Sequence, residues 1–351
     1  MGIIVQVTLE LLSPFYTLFN QYVTMKGIFD NTKFGNLDVS SRIVRTGLWE
    51  SQWGPQKNLT QDIYERYEKL AKNNVGIIAT ELISMYDHDR FSDYTYYINS
   101  PFFIKEFKEI TGLVHEHDTP ILAQIGFVNC NVNGKQMMEV NDLTIEDIRT
   151  IQADYVMAAK KISFAGFDGV ELCVGNNFYL SRVMDPFENT RQDDYGGSTY
   201  NRVRMVIEII KLIKKTTDLH VHCKVNLYQD EDDSVEICRI LAENGADSLQ
   251  ITRFLSPQYF RKGQNQDMLV GFADRVAQEV DIPVVLGGGR SDMDKINGLL
   301  NNTEIDFISM QRPFVKDPSF LTQWKVDGHG KSECKTCNNC YWKKQSLCLI
   351  E

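Results

Sequence analysis

The chain has 351 residues, 43% of them hydrophobic, and a formal net charge of −10. That length and apolar share suit one large α/β domain or two smaller ones. The acidic balance excludes a protein that grips nucleic acid through a basic face, because phosphate contacts need a surplus of Lys and Arg.

Residues 1–24, MGIIVQVTLELLSPFYTLFNQYVT, are apolar and aromatic, without a basic start or a small-residue cleavage site. Pro14, Asn20 and Gln21 interrupt the run, so no spanning helix is expected there, and no other stretch could cross a bilayer. Three readings fit this segment: an element docked on the domain, a membrane-surface tether, or an upstream start before the true Met25. We set 1–26 apart as an extension and expect a cytoplasmic protein with no membrane or nucleic-acid partner.

From there, short β-branched runs alternate with longer amphipathic stretches. Strands are predicted at 42–47, 76–81, 120–126, 169–174, 221–227, 248–252, 283–287 and 306–310. Helices are predicted at 60–73, 103–117, 144–164, 200–215, 234–244, 268–279 and 292–300. Apolar spacing of three and four supports them; Ile145, Ile148, Ile151, Tyr155 and Ala158 share one face. Eight βα units predict a single closed parallel (β/α)8 TIM barrel over 27–328, a doubly wound open sheet being the alternative. Residues 329–351 form a Cys-rich tail.

In such a barrel the strands' C-terminal ends carry the chemistry. The seventh strand runs into Gly287, Gly288 and Gly289, and the eighth into Gln311 and Arg312. Glycines let backbone N–H groups approach an anion, and Arg312 can clamp it, so this corner is a candidate phosphate site. A tight turn is the plain alternative for the glycines. Lys224 sits on a mostly apolar strand end and is a poor core residue without a partner. Its plain alternative is a salt bridge to a neighbouring carboxylate, and a barrel lyase using Lys224 as a Schiff base is a third possibility.

Cys130, Cys173, Cys223 and Cys238 are scattered, and read as small buried hydrophobes. Cys334, Cys337, Cys340 and Cys348 are clustered, which points to metal or iron–sulfur ligation more than to disulfides. Four thiolates suit a [4Fe–4S] cluster or zinc, and free thiols are the alternative.

SRIVRTGLWE (41–50), GIIATE (76–81), ILAQIG (121–126), NTRQDDYGGSTYNRVR (189–204), IPVVLGGGR (282–290), SMQRPFVKDP (309–318) and ECKTCNNC (333–340) together carry a resemblance. The chain is similar to the old yellow enzyme family of NADH:flavin oxidoreductases from about Gly27 onward. The resemblance implies a barrel that holds FMN at its C-terminal mouth and uses NAD(P)H to reduce a small-molecule substrate such as an activated alkene. Carried over by position, the backbone of Arg45, Thr46 and Gly47 lines the flavin and Leu82 approaches its edge. Gln124 hydrogen-bonds the pyrimidine ring, or else is a core amide bonded to loop backbone. Lys224 lies beside N1 and the C2 carbonyl, where a cation stabilises the reduced ring. Gly288, Gly289, Gln311 and Arg312 hold the phosphate, Gln311 replacing the usual glycine. The cysteine tail is similar to that of a branch including trimethylamine dehydrogenase and 2,4-dienoyl-CoA reductase. With a cluster and no reductase domain, that implies a separate electron-transfer partner protein.

The chain departs from the family at the catalytic pair. Where members carry His-x-x-His or His-x-x-Asn, it has Cys173 and Asn176, and Phe178 replaces a proton-donating Tyr. Tyr179 is adjacent but expected to point elsewhere, and Trp49 departs from many ene-reductases while matching one branch. A thiol is a weak donor. Three consequences stay open: a different acceptor, oxidation of a substrate such as an amine, or FMN binding with little catalysis.

Overall fold

The computed structural model describes residues 25–47, 59–89, 95–129, 132, 134–135, 138–228, 230–252, 266–288, 291–337, 339–341 and 348. Eight parallel strands close on themselves: β3 (Ile43–Arg45), β4 (Ile77–Ala79), β7 (Ile121–Gly126), β8 (Gly169–Val174), β9 (His220–Asn226), β10 (Ser248–Thr252), β11 (Val284–Leu286) and β12 (Phe307–Met310). The pairing of Ile78 with Ile121 completes the ring. Two short strands between β4 and β7, β5 (Ile83–Ser84) and β6 (Tyr96–Tyr97), pair with each other, and β5 extends the upper end of β7. All eight predicted strands are present, each trimmed by up to two residues or shifted by one. The expectations for Cys130, Trp49 and residues 1–24 lie outside the described residues.

Helices follow the strands on the outside. The seven predicted ones are α1 (Gln61–Lys72), α2 (Phe103–His115), α3 (Ile145–Phe164), α5 (Thr199–Thr216), α6 (Glu231–Glu243), α7 (Gln266–Glu279) and α8 (Met293–Asn302). Their starts are written in capping residues. Thr144 accepts from the Asp147 backbone N–H and Asp147 reciprocates, while Ser198, Asp230 and Asp292 cap α5, α6 and α8. Sequence periodicity missed three short helices, α4 (Tyr179–Met184), α9 (Arg312–Lys316) and α10 (Phe320–Asp327), because five to eight residues are too few to show a repeat. No helix among the described residues is long and apolar enough to cross a membrane.

Strand alternation divides the side chains. Outward residues such as Ile78, Ile121, Ile125, Val170, Leu172, Val221, Val225, Leu249 and Ile251 join the large core beneath the helices. Inward residues Val44, Ile77, Leu122, Val285 and Phe307 form a second, small cluster inside the barrel. It is closed from below by a hairpin that the sequence reading missed, β1 (Thr32–Phe34) with β2 (Leu37–Val39). Its turn places Gly35 at φ +59°, where glycine is at ease. Phe34 is fully buried, stacks on His220 at 4.9 Å and meets Phe307 edge-on at 5.0 Å.

Phe34 is therefore the stopper of the barrel floor. Phe34→Ala should cost about 3–5 kcal/mol by leaving a cavity that rigid strands cannot collapse into. Urea denaturation measures this as a lower midpoint at unchanged slope.

Candidate active site

The inward faces of β8, β9 and β10 are polar, unlike those of their neighbours. Glu171 and Cys173 alternate with Val170, Leu172 and Val174. His220, His222, Lys224 and Asn226 alternate with Val221, Cys223 and Val225. Ser248, Gln250 and Thr252 alternate with Leu249 and Ile251. The register sets Gln124 opposite Glu171, Glu171 opposite His222, Cys173 opposite Lys224, and Lys224 opposite Gln250. A polar wall thus climbs one side of the lumen to the C-terminal mouth.

Glu171 organises this wall. Its side chain is inaccessible to solvent. Gln124 Nε2 donates to its Oε1 in a very short hydrogen bond, and Lys224 Nζ approaches the same oxygen at 3.5 Å. Lys224 Nζ also donates to Thr46 Oγ1 at 2.9 Å, and Gln250 Nε2 reaches that hydroxyl at 3.3 Å. Burial works against the Glu171 charge, but the Lys224 ammonium, the His222 ring and the bonds from Gln124 and Lys224 outweigh it, leaving the carboxyl below its usual range. The carboxylate partner that the plain alternative for Lys224 called for is present. Gln124 Oε1, which receives no hydrogen bond from the described residues, lies beside Gly47.

Other sequence-expected residues fall around the same rim. Leu82 is half-buried in the segment after β4. Gly47 fits because a Cβ there would stand 2.2 Å from the Thr80 carbonyl oxygen. Gln311 Nε2 donates to the Gly47 carbonyl at 2.6 Å, tying the end of β12 to that of β3. Gly288 has φ +80°, and a Cβ placed on it would meet nothing within 4 Å, so its backbone borders open space beside Arg312 at the start of α9. Parallel strands put Lys224 and Arg312 at the same end of the barrel. Gly289 lies outside the described residues. The Arg45 side chain runs outward instead, bonding the Ala79 carbonyl and lying 5.5 Å from the Tyr67 ring centroid.

At the exit of β8, Asn176 and Asn177 hold left-handed backbone conformations, φ 56° and 60°. Asn tolerates that region better than most residues, and such outliers cluster at functional sites. Asn226 Oδ1 fixes the Asn176 N–H at 2.8 Å, and Thr252 Oγ1 donates to Asn176 Oδ1 at 3.4 Å. That leaves the Asn176 Nδ2 protons for a ligand. Cys173 is buried, and burial together with the Glu171 carboxylate pushes its thiol far up, so it stays protonated. Phe178 lies against Gly126 with Cys173. Tyr179 is buried and stacks on Phe127 at 5.1 Å, which removes it as a proton donor at the mouth.

The cysteine tail behaves differently from the barrel rim. Cys340 feels both the Arg312 cation and the thiols of Cys334 and Cys337, so this part of the tail lies near the phosphate corner. Yet among the described residues no three His, Cys, Asp or Glu side chains are placed to hold a metal ion. Cys334, Cys337, Cys340 and Cys348 do not form a ready cage for iron–sulfur or zinc in this structure. Cys173, Cys223 and Cys238 are buried small side chains as expected.

Sequence reasoning missed Glu171, His222, Gln250, Asn226 and Thr252. The signal was available: counting by two from Lys224 and Cys173 puts Glu171, His222 and Asn226 on the lumen face.

The NADH:flavin oxidoreductase / NADH oxidase family matches residues 27–328. The NADH oxidase of Thermoanaerobacter brockii is 24% identical over 349 residues, covering 89% of this chain but 52% of that protein, so this chain spans about half its length. The 4,4'-dithiodibutanoate disulfide reductase of Rhodococcus erythropolis is 24% identical over 373 residues, covering 89% of this chain and 92% of that one. Among solved structures, a 2-naphthoyl-CoA reductase in complex with 2-naphthoyl-CoA superimposes with a TM-score of 0.79 at 19% identity, covering 89% of this chain and 54% of the other. The old yellow enzyme homologue of Zymomonas mobilis gives 0.73 at 19% identity, covering 86% and 93%.

Buried neutral imidazoles set a pH limit on this architecture. Burial lowers the His222 pKa to about 4 against the opposing pull of the Glu171 carboxylate, and burial lowers that of His220 further. Both rings gain protons when the chain unfolds, so stability is full above ~6.5 and falls as pH drops from there toward 4. For His222 alone the loss approaches about 3 kcal/mol. Thermal melts of the cofactor-free protein between pH 7.5 and 4.5 should show this slope, and His222→Gln should flatten it.

Proposed function

Because the chain belongs to the NADH:flavin oxidoreductase / NADH oxidase family, we propose that its barrel mouth holds FMN and passes a hydride from NADH or NADPH to a small-molecule acceptor of the activated-alkene class. Bound there, the flavin supplies two-electron chemistry that no side chain can. The observation that carries this reading is the Glu171 carboxylate, which fixes Lys224 and Gln124 side by side at the rim.

The chain's own residues then divide the work. Lys224 presents a proton donor and Gln124 Oε1 an acceptor, a pairing suited to the edge of a pyrimidine-like ring. The Lys224 charge favours the electron-rich form of whatever lies against it. Gly288 offers a backbone N–H group to a phosphate, with Arg312 adding a cation and Gln311 bracing the corner against Gly47. Asn176 Nδ2 holds the acceptor's oxygen. Cys173 polarises it weakly, and Phe178 supplies no proton, so the proton that completes an alkene reduction comes from solvent. Such a site favours acceptors already activated by their own substituents.

Nicotinamide is the donor in this reading, as the family's description as NADH:flavin oxidoreductases supports. A cytoplasmic location, where reduced nicotinamides are plentiful, fits this reading. Amine oxidation is the less favoured alternative, since Asn176, Cys173 and Phe178 offer no base to take a proton from an ammonium.

Purified protein should be yellow and bleach on anaerobic addition of NADH or NADPH. A colourless protein that ignores added FMN would end this reading. Arg312→Ala should weaken FMN binding roughly ten- to hundredfold, the worth of a charge-assisted phosphate contact.

For the acceptor side, Asn176→Ala should weaken binding of a phenol probe about tenfold, one hydrogen bond. Cys173→His should strengthen it and bring up a long-wavelength charge-transfer band. Unchanged phenol titrations in both variants would show that the acceptor lies elsewhere.

A further inference from the structure

A chain of polar side chains runs through the barrel interior from its floor to Glu171, and the proposed hydride transfer does not use it. His220 Nδ1 lies 2.8 Å from Oδ1 of Asn36, an exposed residue of the floor hairpin. His220 Nε2 lies 2.7 Å from Ser248 Oγ, and Ser248 Oγ lies 2.7 Å from His222 Nδ1. His222 Nε2 then faces Glu171 Oε2 at 3.8 Å. His220, His222, Ser248 and Glu171 are all wholly buried.

With the Asn36 amide oxygen facing His220, the hydrogen-bond directions along the column are set. Asn36 Oδ1 can only accept, so His220 carries its proton on Nδ1 and offers Nε2 as an acceptor. The single Ser248 proton goes to that Nε2, so Ser248 must accept from His222 Nδ1–H. His222 is then left with a bare Nε2. Three buried acceptor atoms remain without hydrogen-bond partners at this point: His222 Nε2, Glu171 Oε2 and Gln250 Oε1. Acceptors do not converge in a dry interior at no cost; one more proton on Nε2 would satisfy the ring and its carboxylate neighbour together.

We propose that the His222–Glu171 pair is a redox-linked proton site: a solvent proton binds His222 Nε2 when two electrons enter the cofactor beside Lys224, and leaves when they depart. The inference rests on the reading of the mouth as a flavin site. The charges balance. Reduced nicotinamide loses a hydride and becomes cationic; the hydride brings two electrons and one proton to the mouth. An additional proton, taken from water, goes to His222. When the acceptor takes the hydride, that proton returns to water.

Charge compensation drives the uptake. Before reduction, Lys224 and Glu171 cancel and the ring stays neutral, as its burial requires. A new negative charge beside Lys224 leaves the buried cluster one charge short. At an effective dielectric of about 20 and a separation of ~8 Å, it raises the proton affinity of His222 roughly thirtyfold. The groups facing the ring are Glu171 on β8, Lys224 and His220 on β9, Ser248 and Gln250 on β10, and the apolar Phe34 ring at 5.4 Å from the floor. Lys214 acts on His220 from outside. Among the described residues the column through Ser248 and His220 to Asn36 ends on the already protonated Nδ1, so it sets the tautomer and holds the ring with Nε2 toward Glu171.

The test counts protons taken up per two-electron reduction of the holoprotein under anaerobic conditions, with a pH indicator, from pH 5 to 8. Wild type should take up about two-thirds of a proton more than His222→Gln near pH 5, with the excess fading by pH 7. Wild-type protein with 15N-labelled histidine gives a second readout that needs no variant. One of the six histidines should change from neutral imidazole to imidazolium on reduction. Equal proton counts at every pH, or imidazoles unaltered by reduction, overturn the proposal. A protein that binds no flavin fails the functional reading instead, so the two failures are distinguishable.

Discussion

A carboxylate sealed inside a barrel has to be paired, and Glu171 is paired by the Gln124 amide and the Lys224 ammonium, with the His222 ring 3.8 Å from its second oxygen. Removing one partner would leave a buried charge uncompensated, which typically costs several kcal/mol, whereas the intact cluster gains little over an apolar core. Its worth is therefore in placement. Gln124 comes from β7, Lys224 from β9 and Thr46 from the end of β3, and one carboxylate fixes the geometry of all three. The mouth inherits its shape from a group that itself touches no solvent.

That cluster makes the lumen two-sided. The walls from β11, β12, β3 and β4 are lined by Val285, Phe307, Val44 and Ile77, with Phe34 pressed in from the floor. The walls from β8, β9 and β10 are lined by Glu171, His222 and Gln250. Ordinary barrels fill this space with branched apolar residues. Here the apolar half supplies close packing and the polar half supplies directional bonds, and Phe34 joins them by stacking on His220.

The barrel was legible because its repeat is long and local: β-branched runs, amphipathic helices and capping residues each point to the same element order. The rim residues Lys224, Gln124 and Arg312 were legible because they stand out, by charge or by position at a strand end. The floor hairpin was not, since strands of three residues have no period to detect. Glu171 and His222 do not stand out because they lie in mid-strand, below the C-terminal ends where barrel chemistry is expected. The inward face is recoverable by alternation, but pairing across strands also needs the register, which sequence alone does not supply. The outward turn of Arg45 follows from the same alternation, since Thr46 is the inward neighbour.

The substitution at Cys173 also has a steric context. Gly126 and Phe178 crowd it: a Cβ on Gly126 would stand 2.9 Å from the Cys173 Cβ and 3.1 Å from the Phe178 ring. The pocket floor has thus exchanged hydrogen-bonding reach for compactness, with a small thiol and an apolar ring occupying the positions where the family places larger polar groups. Asn176, held on two sides by Asn226 and Thr252, keeps a single directed donor. In the proposed reading, a mouth with a strong cation on the cofactor side and one modest donor on the acceptor side works by tuning the electron source more than by activating the electron sink. That division explains why the electrostatic investment of the fold lies below the rim, around Glu171, and not in the loops that would meet the substrate.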